Sequence, residues 1–215
     1  MKEFNKLINK ISIALQQKLP GYEVQKLMEP ATRNRLIEKM KPSSTPKKCG
    51  VLVLIYPKNN KIFTVFIKRQ TYDGVHSGQI AFPGGKYEKT DNTLINTAIR
   101  EANEEIGINP DDINVIGNLT ELYIPPSNFN VLPILAYMDK PPVFNIDKNE
   151  VDSIIEISID ELVDEKIVSN KEVYTSEKTM FDVPCYLHKR NIIWGATAMI
   201  ISEFIELVKE FQNLK

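Results

Sequence analysis

Three carboxylates stand close together at Glu101, Glu104 and Glu105, with Arg100 just before them and Gly107 just after. Clustered carboxylate oxygens are what a hard divalent cation such as magnesium takes as ligands. These side chains can converge only on a helix, and the flanking residues predict one. Ile95, Ile99, Ala102 and Ile106 recur at helical spacing and predict a single apolar stripe. At about 100° per residue the three glutamates fall together on a face well away from that stripe. A bare Glu-x-x-Glu-Glu also fits a solvated face, because exposed like charges one turn apart repel by only about 0.2–0.5 kcal/mol.

The surroundings favour the metal. Gly84-Gly85 precedes the helix, Arg100 adjoins Glu101, and Gly107 stops the helix, so residues 82–108 read as a glycine turn, a polar loop and one amphipathic helix. Gly84 and Gly85 form a tight turn and, lacking side chains, let backbone atoms approach a metal or a diphosphate. Glu101 and Glu105 are expected as metal ligands, and Glu104 as a further ligand. Arg100 is expected to orient one of these carboxylates, as groups behind metal ligands do. Asp91 is expected to cap the helix, with Asn92 and Thr93 as neighbouring candidates.

Other reactive residue types offer no rival site. His76 and His188 are the only histidines, too few for a histidine-rich zinc site. The run Gly-Val-His-Ser-Gly at 74–78 lacks the spacing of a nucleophile elbow and is expected to shape the mouth of a pocket. Glu150, Asp152 and Glu156 are unranked candidates for a catalytic base outside the helix. Trp194 and Tyr186 are expected in the core rather than stacked on an adenine, and residues 123–127 are expected to border the pocket.

The elements that must hold the carboxylate helix are legible around it. Residues 1–18 place Phe4, Leu7, Ile8, Ile11 and Leu15 at helical spacing, and Leu19-Pro20-Gly21 ends that helix. A second helical piece is expected over 31–40, then a connector over 41–48. Residues 51–56 form an almost continuous apolar run, as in a strand buried on both faces. A turn at Asn59-Asn60 joins it to a hairpin partner at 62–67. Further strands are expected at 114–119, 131–138, 154–159, 183–187 and 191–194, and a closing helix at 196–211. Strands flanking a central helix, with another helix at the end, predict an α/β protein with a mixed sheet between helical layers.

Composition sets broad limits. The 215 residues fit one domain with a sizeable core, or a domain plus a small extension. A net charge of -1 carries no footprint for a nucleic acid polymer. Two cysteines, Cys49 and Cys185, suit a reducing compartment. No apolar run reaches the length of a membrane span, and neither terminus reads as a secretory or peroxisomal address. The expectation is a soluble cytoplasmic protein with no membrane partner.

Residues 100–108, Arg-Glu-Ala-Asn-Glu-Glu-Ile-Gly-Ile, resemble the second half of the Nudix hydrolase box, G-x5-E-x7-R-E-U-x-E-E-x-G-U, with U bulky and aliphatic. The first half departs: five residues separate Gly85 from Asp91 and eight separate Asp91 from Arg100, one more than the general pattern. Upstream, Arg69, Gly78, Phe82, Pro83, Gly84 and Gly85 match at intervals the signature of the coenzyme A pyrophosphatase branch, in which the longer spacer is usual. Gln70 and Gly74 stand where that branch has a small residue and a second arginine; Lys68 or Arg69 are candidates to substitute. Residues 194–198, Trp-Gly-Ala-Thr-Ala, resemble the branch's closing element, so the similarity spans roughly 49–205. The resemblance implies a Nudix-type α/β/α sandwich over 46–215, with residues 1–45 as an added helical segment and linker. It implies Mg2+ or Mn2+ held by Glu101, Glu104 and Glu105, and substrate contacts from Arg69, Gly78, Gln79, Phe82, Gly84 and Gly85. The implied reaction is hydrolysis of a diphosphate linkage in coenzyme A or its thioesters, giving 3′,5′-ADP and (acyl-)4′-phosphopantetheine. The alternatives are another nucleoside diphosphate derivative, such as ADP-ribose or a dinucleotide, and a nucleotide-binding regulator without catalysis. A small-molecule partner is implied, and a homodimer is compatible with it.

Overall fold

Strand β1 (Lys47–Lys58) explains the layering. Side chains alternate across a strand, and here both sides meet apolar partners. Leu52, Leu54 and Tyr56 join a core with Ala98, Ala102 and Ile106 of helix α3 (Leu94–Ile106). Val53 and Ile55 join the opposite core, with Phe4, Ile8 and Ile11 of helix α1 (Lys2–Ala14) and Phe204 and Leu207 of helix α5 (Gly195–Lys209). The predicted sandwich of helices about a mixed sheet is therefore present. The computed structural model describes residues 1–31, 33, 37, 45–71, 76–174 and 180–209; most of the helix expected over 31–40 and the end of the one expected to reach 211 lie outside them.

The sheet is mixed because β1 runs parallel to β7 (Phe129–Tyr137) and antiparallel to β2 (Lys61–Arg69). Asn59 and Asn60 turn the β1–β2 hairpin with φ of 50° and 59°, the left-handed conformations that a two-residue turn of this hand requires. Strand β8 (Val151–Ser158) pairs with β2 and runs into the short helix α4 (Ile159–Val163), and β5 (Asn114–Asn118) pairs with β7. Since β7 fills one edge of β1, the short β4 (Gly84–Lys86) takes the other edge, at Cys49–Val51, beyond the reach of β2. Strands β3 (Ile80–Ala81) and β6 (Leu122–Ile124) complete this sheet. A second, three-stranded sheet comprises β9 (Val168–Tyr174), β10 (Met180–His188) and β11 (Asn191–Trp194).

Four strands were missed: β3 and β6 are too short to alternate, β9 mixes polar and apolar residues, and β4 holds Gly84-Gly85, expected as a tight turn but extended here because the missing side chains let it pair closely with β1. Helix α1 ends at Ala14, short of the predicted 18, where Leu15 turns onto the backbone of β5; a Cβ at Gly117 would lie 2.9 Å from Leu15 Cδ1.

A polar knot fastens the N-terminal residues to this body. Glu203 of α5 is fully buried. Its carboxylate accepts hydrogen bonds from Gly21 N–H (3.2 Å), Gln25 Nε2 (2.8 Å), Thr120 N–H (3.2 Å) and Thr120 Oγ1 (2.6 Å). Gln25 belongs to the short helix α2 (Tyr22–Gln25), and Thr120 leads into β6. Among the described residues no helix is long and apolar enough to cross a membrane. Truncating the carboxylate leaves several buried donors unsatisfied, so Glu203→Ala is expected to lower stability by about 3 kcal/mol or more in urea denaturation. A loss below about 1 kcal/mol would mean that the knot adds nothing beyond packing.

Candidate active site

Helix α3 opens on Thr93, whose hydroxyl accepts from Asn96 N–H at 3.1 Å, and closes on Gly107 with φ of 70°. Asp91 is therefore not the cap of α3. The buried face also differs from the predicted stripe: Ile95 is 38% exposed, Ile99 is half-buried, and Thr97, Ala98, Ala102, Glu105 and Ile106 are buried. The cause lies at Gly50 of β1, where an added Cβ would sit 2.4 Å from Leu94 O. Helix and strand approach so closely that alanines, not isoleucines, fit between them. The interface is rotated around the helix accordingly, and this carries Glu105 into it.

The three glutamates consequently do not share one face. Glu105 is 1% exposed; its Oε2 accepts the Gly84 N–H at 2.8 Å, and its Oε1 lies 3.8 Å from Arg69 Nη2. Arg69 Nη2 also donates to Gly84 O at 3.3 Å. Glu101 is pressed against Gly85, where an added Cβ would fall 2.3 Å from its Oε2. Burial pushes both carboxyls upward, that of Glu105 to about 7, against the opposing pull of Arg69 on Glu105 and of Arg100 on Glu101. Glu104 points outward and pairs with Arg100 Nη1 at 2.8 Å. Among the described residues no three acidic, histidine or cysteine side chains converge on one point. The adjacent Glu101 and Glu105 carboxylates, drawn out of water beside a backbone without side chains, still suit a hard divalent cation, which would offset their mutual repulsion.

Arg100 is held from behind. Its Nε donates to Asp91 Oδ1 at 2.7 Å and its Nη2 to Asp91 Oδ2 at 3.1 Å, while Nη2 reaches Glu101 Oε1 at 3.0 Å. Asp91 also accepts from Thr97 Oγ1 (2.8 Å) and Glu88 N–H (2.9 Å). Between Asp91 and Thr93 the chain turns at Asn92, whose φ is 62°. The Arg100 guanidinium holds the Asp91 carboxyl well below the usual carboxylate range.

A cavity of about 1350 Å3 opens onto this helix edge. Arg69, Gly78, Gln79, Phe82, Gly84 and Gly85 all line it, as do Glu101 and Glu105; Arg100 and Glu104 do not. Gly78 adopts φ of 64° and donates its N–H to Gln70 O at 3.2 Å. Gln79 Oε1 lies 2.9 Å from His76 Nδ1. Phe82 is a wall residue, its buried ring 4.7 Å from that of Phe66. Residues 123–127 and Trp194 border the cavity, whereas Tyr186 is buried in the core. The base candidates now separate. Asp152 pairs with Lys68 at 3.1 Å and Glu156 accepts from Tyr56 Oη at 2.7 Å, but Glu150 lines the cavity with no ion pair to any described residue. Gly74 lies outside the described residues.

Residues 46–177 match the model of the NUDIX domain. The Nudix hydrolase NudL of Yersinia pestis (strain Pestoides F) is 31% identical over 168 residues, covering 77% of this chain and 82% of that protein. Nudix hydrolase 3 of Caenorhabditis elegans is 28% identical over 174 residues, covering 74% of this chain and 72% of that one. Among solved structures, a Nudix hydrolase from M. Smegmatis, RenU, has a TM-score of 0.51 at 14% identity, covering 79% of this chain and 88% of that one. The NUDIX domain of Shewanella oneidensis NrtR, in complex with ADP ribose, has a TM-score of 0.50 at 12% identity, covering 80% and 92%.

Because the Asp91 carboxyl is lowered in the folded protein, its stabilisation is fully present above the ordinary value of 3.8 and is lost as the pH falls below it. Asp91→Asn is expected to lower stability at pH 7 by about 1.5–3 kcal/mol. The gap from the unmodified protein should shrink in acid, as read from denaturant midpoints across the pH range; a pH-independent gap would contradict the ionic role.

Proposed function

This chain belongs to the Nudix family of hydrolases, enzymes that cleave diphosphate linkages, and from that premise we propose that its substrate is coenzyme A or an acyl thioester of it. The observation that carries the reading is one cavity joining the half-buried Glu101 and buried Glu105, the Gly84-Gly85 backbone and Arg69 to a large apolar wall. Its volume of about 1350 Å3 exceeds the roughly 300–1,000 Å3 typical of sites for drug-sized ligands. That leaves room for a nucleotide and a long second moiety. The match of Arg69, Gly78 and residues 82–85 to the coenzyme A pyrophosphatase signature supports the same choice.

Glu101 and Glu105 would hold Mg2+ or Mn2+, with Glu104 a further ligand once released from Arg100. The bound cation supplies charge neutralisation on the diphosphate and a lowered pKa for water. Arg100, clamped by Asp91, fixes the rotamer of Glu101. Arg69 directs a second positive charge at the phosphate oxygens, and the glycine backbone lets the diphosphate approach without a side chain intervening. Glu150 accepts the proton of the attacking water at its carboxylate. The water oxygen bonds to one phosphorus, and the bridging oxygen leaves with the other phosphate. No covalent enzyme intermediate is needed.

Purified protein with Mg2+ or Mn2+ is expected to hydrolyse coenzyme A and its thioesters with a higher kcat/KM than ADP-ribose or dinucleotides. Brisk cleavage of ADP-ribose without turnover of coenzyme A would replace the proposed substrate by that one. Glu150→Gln is expected to lower kcat about 100-fold or more with little change in KM. An unchanged kcat would remove Glu150 from the reaction.

A further inference from the structure

Two arginines reach the same cavity from elements that the carboxylate chemistry does not use. Arg33 comes from the N-terminal segment, and Arg190 from the turn between β10 and β11. The Arg33 side chain is only 11% exposed, yet its nearest carboxylate oxygen, Glu29 Oε2, is 3.5 Å from Nε, and that buried Nε makes no hydrogen bond. The Glu29 carboxylate is already engaged by the Tyr22 hydroxyl at 2.6 Å. Although Arg33 and Glu29 form an ion pair, a buried guanidinium N–H left without an acceptor is costly unless a ligand supplies one. Arg190 has no ion pair with any described residue. Neither arginine is engaged with Glu101, Glu105 or Glu150. Lys68, which also lines the cavity, is occupied by Asp152, and Lys86 lies beside Gly85 at the carboxylate end.

We infer that Arg33 and Arg190 give the cavity a second anion-binding region, which recognises a phosphomonoester carried by the substrate in addition to its diphosphate. This deepens the proposed function and rests on it for the substrate class. The planar fork of Arg33 matches two oxygens of a phosphate, as an ammonium cannot. The cavity lining also includes the apolar Val183, Met199 and Ile200, which suit the neutral body of the ligand. The N-terminal segment, tied to α5 through Glu203, thus contributes to substrate choice through Arg33.

The test uses nucleotides that differ only in the second phosphate. Calorimetric titration of the full chain in metal-free buffer is expected to give about tenfold tighter binding of 3′,5′-ADP than of AMP. In Arg33→Gln that preference should fall towards one with AMP binding retained, and Arg33→Lys should restore only part of it. Arg190→Gln, on an exposed turn, should reduce the preference too, and serves if Arg33→Gln disturbs the fold. Equal affinities for the two nucleotides, including no measurable binding of either, overturn the inference, as does a preference that survives both substitutions. Because no turnover is measured, the outcome is separable from the substrate proposal. An arginine-dependent preference in a protein inert towards coenzyme A would retain the second region and discard that substrate.

Discussion

The site depends on one close contact: the Glu105 carboxylate accepting the Gly84 N–H at 2.8 Å, inside the joint between helix and sheet. Three glycines make that joint possible. A Cβ on Gly84 would lie 2.4 Å from Gly50 O, one on Gly50 2.4 Å from Leu94 O, and one on Gly85 2.3 Å from Glu101 Oε2. Without these vacancies β4 could not pair with β1, α3 could not settle on β1, and Glu101 and Glu105 would stand in water. The same contact explains the electrostatics. Burial raises the two carboxyls, and the Gly84 amide and Arg69 at Glu105 and Arg100 at Glu101 offset only part of it, leaving a site that gains from a positive ion.

Around this joint the side chains sort by the element that fixes them. Asp91 anchors Arg100, Arg100 leans on Glu101 and Glu104, and Arg69 bridges Gly84 O and the neighbourhood of Glu105. Glu104 is the mobile member by chemistry: it is 57% exposed and bound only through an ion pair within its own helix, a class of contact worth a few tenths of a kcal/mol. Recruiting it to a metal would therefore cost little, whereas Glu105 is already in place.

Much of this was legible in the amino-acid sequence, and the misses have physical causes. Strand β1 was visible because both of its faces are buried, and the hairpin because Asn59-Asn60 tolerates positive φ. The fold class followed from strands flanking a helix. The buried face of α3 was misjudged because periodicity weights isoleucine over alanine, while the close approach at Gly50 sets the small Ala98 against the strand. Asp91 read as a cap because its partner, Arg100, is reached only after the chain turns at Asn92. Among the three acidic candidates for a base, Glu150 could be separated only once Lys68, Lys58 and Tyr56 were seen to hold the other two. Arg33 carried no signal at all, since a lone arginine in a polar segment resembles solvated surface.

The central claim is that Glu101 and Glu105, locked against Gly84 and Gly85 of β4, form the seat of a divalent cation. Titration of metal-free protein with Mn2+, following the free ion by electron paramagnetic resonance, tests it most directly. The account predicts saturable binding that weakens by about tenfold or more in Glu105→Gln and less in Glu104→Gln. Equal Mn2+ affinity in Glu105→Gln and the unmodified protein would contradict it.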